Sequence, residues 1–289
     1  MFILRLFNDN EFDDEKSPSE PNTTNPVITT SAVTIAIVSF FEIFFISIIL
    51  HHKYIFAKRF IVRYNIMYME KIIHPVTVEH LTDDEKLSII NKEFTEGFHY
   101  IHNYDRSVTF FGSARSKPED PFYKKAERLA ARVAKELPNY VVVTGGGPGI
   151  MEAANKGAYD AGGKSVGFTI ELPHEQKDNA YLTGKVDFDF FFTRKTMMSF
   201  CAEAYLFFPG GFGTFDELFE VLTLVQTGKI EKVPIILVGK EFWGPFDSYL
   251  KDEMLNKHKT IKEEDLHLYT ISDDEEEIFE IIKNAPIRE

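Results

Sequence analysis

The chain has 289 residues, 44% of them hydrophobic and 27% charged, which supports a globular core and excludes wholesale disorder. Its 32 basic and 45 acidic side chains leave a net charge of −13, which argues against bulk electrostatic binding to nucleic acid. The single cysteine, Cys201, excludes an intrachain disulfide framework and any zinc site needing two thiolates, and suits a reducing compartment.

Residues 1–26 are polar and acidic, the composition of a disordered tail. Residues 27–50 are apolar. Their denser part, Ala32–Leu50, carries one charge, Glu42, and as a helix would be about 28 Å long, close to the hydrocarbon thickness of a bilayer. Glu42 would cost about 3 kcal/mol at mid-membrane, against roughly 0.3–0.6 kcal/mol returned by each Ile, Leu, Phe or Val. Lys53, Lys58, Arg59 and Arg63 follow the run, so the positive-inside rule would put what comes after residue 50 in the cytoplasm. Two readings stand together: a membrane anchor, or an extension ahead of a protein that starts at Met69. Residues 51–81 read as a linker and 82–289 as the folded domain.

From Thr82 to Asn103, Leu87, Ile90, Phe94, Phe98 and Ile101 recur at helical spacing, behind a Thr82/Glu85 capping box. Strands and helices then alternate: a strand at 108–111, a helix at 121–136, a strand at 140–143 and a helix at 148–161. Strands follow at 165–170 and 186–191, then a helix opening at Arg194, a strand at 205–208, a helix at 214–226 and a strand at 234–238. A helical stretch at 247–255, a short strand at 268–271 and an acidic helix close the chain. Short, continuously apolar strands are buried on both faces, so the expected fold is α/β: a Rossmann-like, doubly wound, mainly parallel sheet covered by helices. Ligands bind such sheets beyond the strands' carboxyl ends, which singles out the loops after residues 111, 143, 170, 191 and 208.

Two of those loops are glycine-rich. In Thr144-Gly-Gly-Gly-Pro-Gly149, Pro148 suits the first helical position, and the small residues Ala153, Ala154, Gly157, Ala158 and Ala161 allow close packing of the helix behind it. The N–H groups at that helix start favour an anion such as phosphate, although a tight packing turn explains the pattern equally well. No Gly-Lys-Ser/Thr follows, so it is not a P-loop, and Ile150 replaces the last glycine of a dinucleotide fingerprint. In Pro209-Gly-Gly-Phe-Gly-Thr-Phe-Asp-Glu217, three glycines expose backbone N–H groups and Thr214 adds a hydroxyl. Thr214-x-x-Glu217 also reads as a capping box, while the same carboxylate is well placed for a sugar hydroxyl. Cys201 reads as a buried structural thiol, and Phe188, Phe190, Phe191 and Phe192 as core or interface aromatics. No metal-ligating cluster and no cofactor are indicated.

The second loop matches the PGGxGTxxE motif of the Lonely Guy (LOG) family. Arg194-Lys195 resembles that family's Arg-Lys pair, and Gly145-Gly-Gly-Pro-Gly-Ile-Met-Glu152 its first glycine loop. Phe111-Gly-Ser-Ala-Arg115 and Ile170-Glu-Leu-Pro-His-Glu-Gln176 look like its longer bacterial branch. The resemblance implies a phosphoribohydrolase that splits nucleoside 5′-monophosphates, AMP or cytokinin ribotides, into free base and ribose 5-phosphate. It implies Glu217 and Arg194 as catalytic residues, and a 5′-phosphate held by Gly210, Gly211, Gly213 and Thr214. Gly145, Gly146 and Gly147 would line the other wall, with Ser113, Glu171, Lys195 and Thr223 as further substrate contacts. It also implies a homodimer. Relatives have been labelled lysine decarboxylases, but nothing in the motif identifies a pyridoxal-bearing lysine. The alternative is a non-catalytic nucleotide or cofactor carrier, which would need the glycines but not the Arg194/Glu217 pair.

Overall fold

The computed structural model describes residues 78–170 and 178–287, within the unit His74–Glu289. The tail, the apolar run, most of the linker, Glu171 and His174 lie outside the described residues. Among the described residues, no helix is long and apolar enough to cross a membrane.

Seven strands form one wholly parallel sheet. They are β1 (Arg106–Phe111), β2 (Tyr140–Thr144), β3 (Lys164–Ile170), β4 (Gly184–Phe188), β5 (Ala204–Phe207), β6 (Ile235–Val238) and β7 (Thr270–Ser272). Their spatial order is β4-β3-β2-β1-β5-β6-β7, so the direction of winding reverses between β1 and β5. The helices are α1 (Asp83–Ile101), α2 (Pro121–Glu136), α3 (Ile150–Asp160), α4 (Phe191–Phe200), α5 (Phe212–Gln226), α6 (Lys240–Tyr249) and α7 (Glu275–Lys283).

Because successive side chains of a strand point to opposite faces, each strand feeds two cores. Val108, Phe110, Val142, Leu206 and Ile236 pack with α2, α3 and α7. Phe111, Val143, Phe168, Phe207 and Leu237 pack with α4, α5 and Trp243 of α6. Helices on both faces make the sheet doubly wound, as its apolar strands imply.

The small residues after the first glycine loop serve a closer contact than helix on sheet. A Cβ on Gly157 would lie 2.0 Å from the Glu127 carbonyl of α2, so α3 rests on the α2 backbone itself. The α1 capping box forms as its sequence implies. Its apolar spacing marks its packed face only in part: Phe94 and Ile101 pack against the core, Leu87 and Phe98 are exposed, and the fully buried positions are Glu93 and Gly97. α6 begins seven residues ahead of the expected Asp247, despite Gly244 and Pro245. Trp243 anchors it by donating its indole N–H to the Phe207 carbonyl at 3.1 Å. A π-helical stretch, Leu250–Lys257, continues it. The acidic run opens α7 through Asp274, whose side chain accepts from the Glu276 and Glu277 N–H groups.

Candidate active site

The reversal between β1 and β5 leaves a gap at their carboxyl ends. Beyond the strands, Phe208 N–H donates to the Phe111 carbonyl at 2.9 Å and Ser113 N–H to the Pro209 carbonyl at 3.0 Å. These bonds hold the loops after β1 and β5 side by side. A cleft of about 750 Å³ opens there, lined by Gly112, Ser113, Gly145, Arg194, Thr214 and Glu217 among others. Its volume falls in the range typical of small-molecule sites.

The second glycine loop forms one wall. Helix α5 starts at Phe212 with Gly211 as its N-cap and no side-chain cap. Thr214 is therefore the third helical residue, too far in to cap, and the expected Thr214/Glu217 capping box does not form. The first N–H groups of a helix have no intrahelical acceptor, so Phe212, Gly213 and Thr214 present theirs toward the cleft. A Cβ on Gly211 or Gly213 would meet nothing within 4 Å, whereas one on Gly210 would lie 2.0 Å from Thr214 Oγ1. Gly210 thus lets Thr214 fold back on the loop, and Gly211 and Gly213 face open space.

The first glycine loop contributes less than expected. Only Gly145 of its three glycines lines the cleft. Gly146 and Gly147 are buried, and their carbonyls both accept from Asn179 Nδ2 at 3.1 Å. Asn179 also donates to Asn155 Oδ1, which accepts from the Thr144 hydroxyl, so this network braces the loop from behind. Pro148 is not the first helical residue either. Gly149 caps α3 at φ +72°, where a Cβ would strike the Ser113 carbonyl that accepts from Ile150 N–H.

Arg194 enters from the first turn of α4. Its Nε donates to the Phe168 carbonyl at 2.7 Å, and a Cβ on Gly145 would lie 2.2 Å from its Nη2. Gly145 is thus the opening through which the guanidinium reaches the cleft. Burial lowers the Arg194 pKa, and the nearby Glu217 opposes that shift. Burial pushes the Glu217 carboxyl up to about 7, with Arg194 and Lys195 pulling it back. Glu217 Oε2 is buried and has no hydrogen-bond partner. A buried polar oxygen without a partner is costly and rare in a folded protein.

Lys195 is placed differently from Arg194. Its Nζ pairs with Asp216 at 2.7 Å and Glu220 at 3.0 Å, so it ties α4 to α5 instead of lining the cleft. Burial alone would lower its pKa, but these two carboxylates raise it. Thr223 is exposed and lies about 13 Å along α5 from Thr214, too far to reach the cleft. Arg115, Met151, Phe191 and Phe212 also line the cleft, and none was expected there. Arg115 had a signal, since it stands in the loop after β1, one of those singled out by strand polarity.

The chain is similar to several known proteins. A family model described as "Possible lysine decarboxylase" matches residues 151–282. The cytokinin riboside 5′-monophosphate phosphoribohydrolase of Rhodococcoides fascians is 30% identical over 153 residues, covering 50% of this chain and 74% of that protein. The cytokinin riboside 5′-monophosphate phosphoribohydrolase LOG of Oryza sativa subsp. japonica is 30% identical over 152 residues, covering 51% of this chain and 60% of the relative. Among solved structures, a Moco carrier protein from Chlamydomonas reinhardtii superposes with a TM-score of 0.44 at 19% identity, covering 63% of this chain and 97% of that one.

Proposed function

The chain belongs to the Lonely Guy family, hydrolases acting on N-glycosyl compounds, and from that premise we propose that it cleaves nucleoside 5′-monophosphates. The substrates are AMP or N6-modified AMP such as cytokinin ribotides, and the products are free base and ribose 5-phosphate. The observation that carries this reading is the unpartnered Glu217 oxygen beside Arg194, in a glycine-lined cleft at the switch point of the sheet.

Cleavage of the glycosidic bond builds positive charge on the ribose ring. An ionised Glu217 stabilises that charge or takes a proton from the attacking water, and its unused oxygen is free to do so. Burial of that oxygen away from solvent strengthens the interaction. Arg194, a fixed cation with a planar fork of donors, binds the phosphate or the departing base. The α5 N-terminus, with Gly210, Gly211, Gly213 and the Thr214 hydroxyl, takes the 5′-phosphate. Glu171 and Ser113 are assigned to the sugar or base, and no metal or cofactor enters the scheme. The same proposal includes a homodimer, supported by exposed aromatics, Phe191 at the cleft with Phe192 and Phe219, and a cytoplasmic catalytic domain, in keeping with a single cysteine in the sequence.

The test is release of adenine and ribose 5-phosphate from AMP by the full chain beside Glu217→Gln. Release by the parent, and a loss of two or more orders of magnitude in a folded variant, is the expected result. If AMP and N6-substituted nucleotides all bind but stay intact, the protein is a carrier.

A further inference from the structure

Glu93 is a buried carboxyl group on α1 that the proposed chemistry does not use. It is 4% exposed, in the middle of a 19-residue helix whose other buried position is Gly97. The two are one helical turn apart and face α4 together. At Gly97, a Cβ would lie 2.7 Å from Met197 Sδ, so the helices touch closely there. One turn back on both helices, Glu93 meets the start of α4. One of its oxygens accepts from the Asp189 backbone N–H and the other from the Thr193 hydroxyl.

These partners flank the N-cap, Phe190: Asp189 is the residue before it, and Thr193 is the third helical residue, bound through its hydroxyl. Helix α4 begins after Phe190, which has no side chain able to cap, and no local side chain does so. Its start is instead clamped by the Glu93 carboxyl group, supplied from about a hundred residues earlier in the chain. A fully satisfied buried polar network of this kind rigidifies the start of the helix.

Thr193 is followed directly by Arg194. The first turn of α4 is therefore held from three sides: by Glu93 of α1, by the Phe168 carbonyl of β3 at Arg194 Nε, and by Asp216 and Glu220 of α5 at Lys195. Two of these anchors act on the neighbours of Arg194 and fix the helical phase at which its side chain leaves the backbone. We propose that Glu93 is a positioning residue for Arg194, clamping Asp189 to Thr193 at the start of α4 so that the guanidinium is aimed through the opening at Gly145. The inference rests on the assignment of Arg194 to the reaction. It also gives α1, which precedes the matched residues 151–282, a direct part in the site.

The experiment uses the full chain and the variants Glu93→Ala, Glu93→Gln and Thr193→Val. With AMP as substrate, Glu93→Ala is expected to lower kcat about tenfold or more with KM changed less than about twofold, since misaiming by an ångström costs up to ~10²-fold. Glu93→Gln, which keeps one acceptor, restores most of the loss, and Thr193→Val reproduces it in part should Glu93→Ala fail to fold. The second readout is the Arg194 Nε–H resonance, assigned by its disappearance in Arg194→Lys. Glu93→Ala or Thr193→Val should shift or broaden it. A lowered Tm with unchanged kcat and an unchanged Nε–H signal makes Glu93 a stability residue only and overturns the proposal. A parent chain that does not hydrolyse AMP overturns the proposed function instead, and the resonance still decides the positioning.

Discussion

Replacing Glu217 by Gln should stabilise the protein, and by an amount set by pH. Burial raises the carboxyl pKa from 4.5 to about 7, so the folded state holds its proton more tightly than the unfolded chain. Between those two values the folded state binds more protons, and stability falls as pH rises through the window. At about 1.4 kcal/mol per pH unit, the full cost of ionising Glu217 in place is about 3 kcal/mol, complete by roughly pH 8. Glutamine keeps the shape and cannot ionise. The variant's advantage should therefore grow from near zero at about pH 4 to about 3 kcal/mol at about pH 8. Urea unfolding of both proteins across that range measures it, with equal slopes showing that the unfolded states match. A gap that does not change with pH would refute the reasoning, because the carboxyl group would then not be desolvated. The same carboxylate must be ionised to act, so kcat/KM for AMP should climb about tenfold per unit below pH 7 and level off above it.

Gly145→Ala places a methyl group 2.2 Å from Arg194 Nη2, so kcat/KM should fall about 100-fold with a modest change in Tm, measured on AMP. Gly210→Ala should destabilise by about 1–3 kcal/mol in urea unfolding, since its Cβ would meet Thr214 Oγ1 at 2.0 Å. Gly213→Ala meets nothing within 4 Å and gains helix propensity, so stability should hold or rise by about 0.5–1 kcal/mol while KM for AMP increases. Adenosine, which lacks the phosphate that the α5 N-terminus is assigned to hold, should be a far poorer substrate than AMP; equal rates would remove that assignment.

The parallel, doubly wound sheet was legible because its strands are apolar on both faces and each ends at a turn or a helix start. The second glycine loop and Arg194 were legible through their motif. What the residues hid were contacts that cross the sheet order. Asn179 follows β3, yet its amide spans the Gly146 and Gly147 carbonyls, so two glycines that look like a ligand wall are backed by protein. Lys195 stands next to Arg194 in sequence but leaves the helix at a different angle, toward Asp216 and Glu220. Glu93 sits among apolar residues at helical spacing, and periodicity points to Phe94, which does pack against the core, and to Phe98, which is exposed, but gives no reason to bury a carboxyl group between them. The partner that decides otherwise, Thr193, is a hundred residues away.

The capping box shows how such a conflict resolves. Thr214-x-x-Glu217 satisfies the pattern of a helix start, and a formed cap would have left Glu217 exposed, bonded and inert. The structure instead caps α5 at Gly211, three residues before Thr214, so that Phe212 is its first helical residue. That shift moves Glu217 three residues, nearly one turn, deeper into the helix, out of reach of the cap and into the cleft beside Arg194. The helix loses the stabilisation a cap supplies, and one carboxyl oxygen, Oε2, loses its solvent without gaining a hydrogen-bond partner. Neither loss serves the fold. Both are explained if the first turn of α5 is kept open for an anion and the carboxyl oxygen for the ring carbon of a sugar, the two ends of a ribose phosphate.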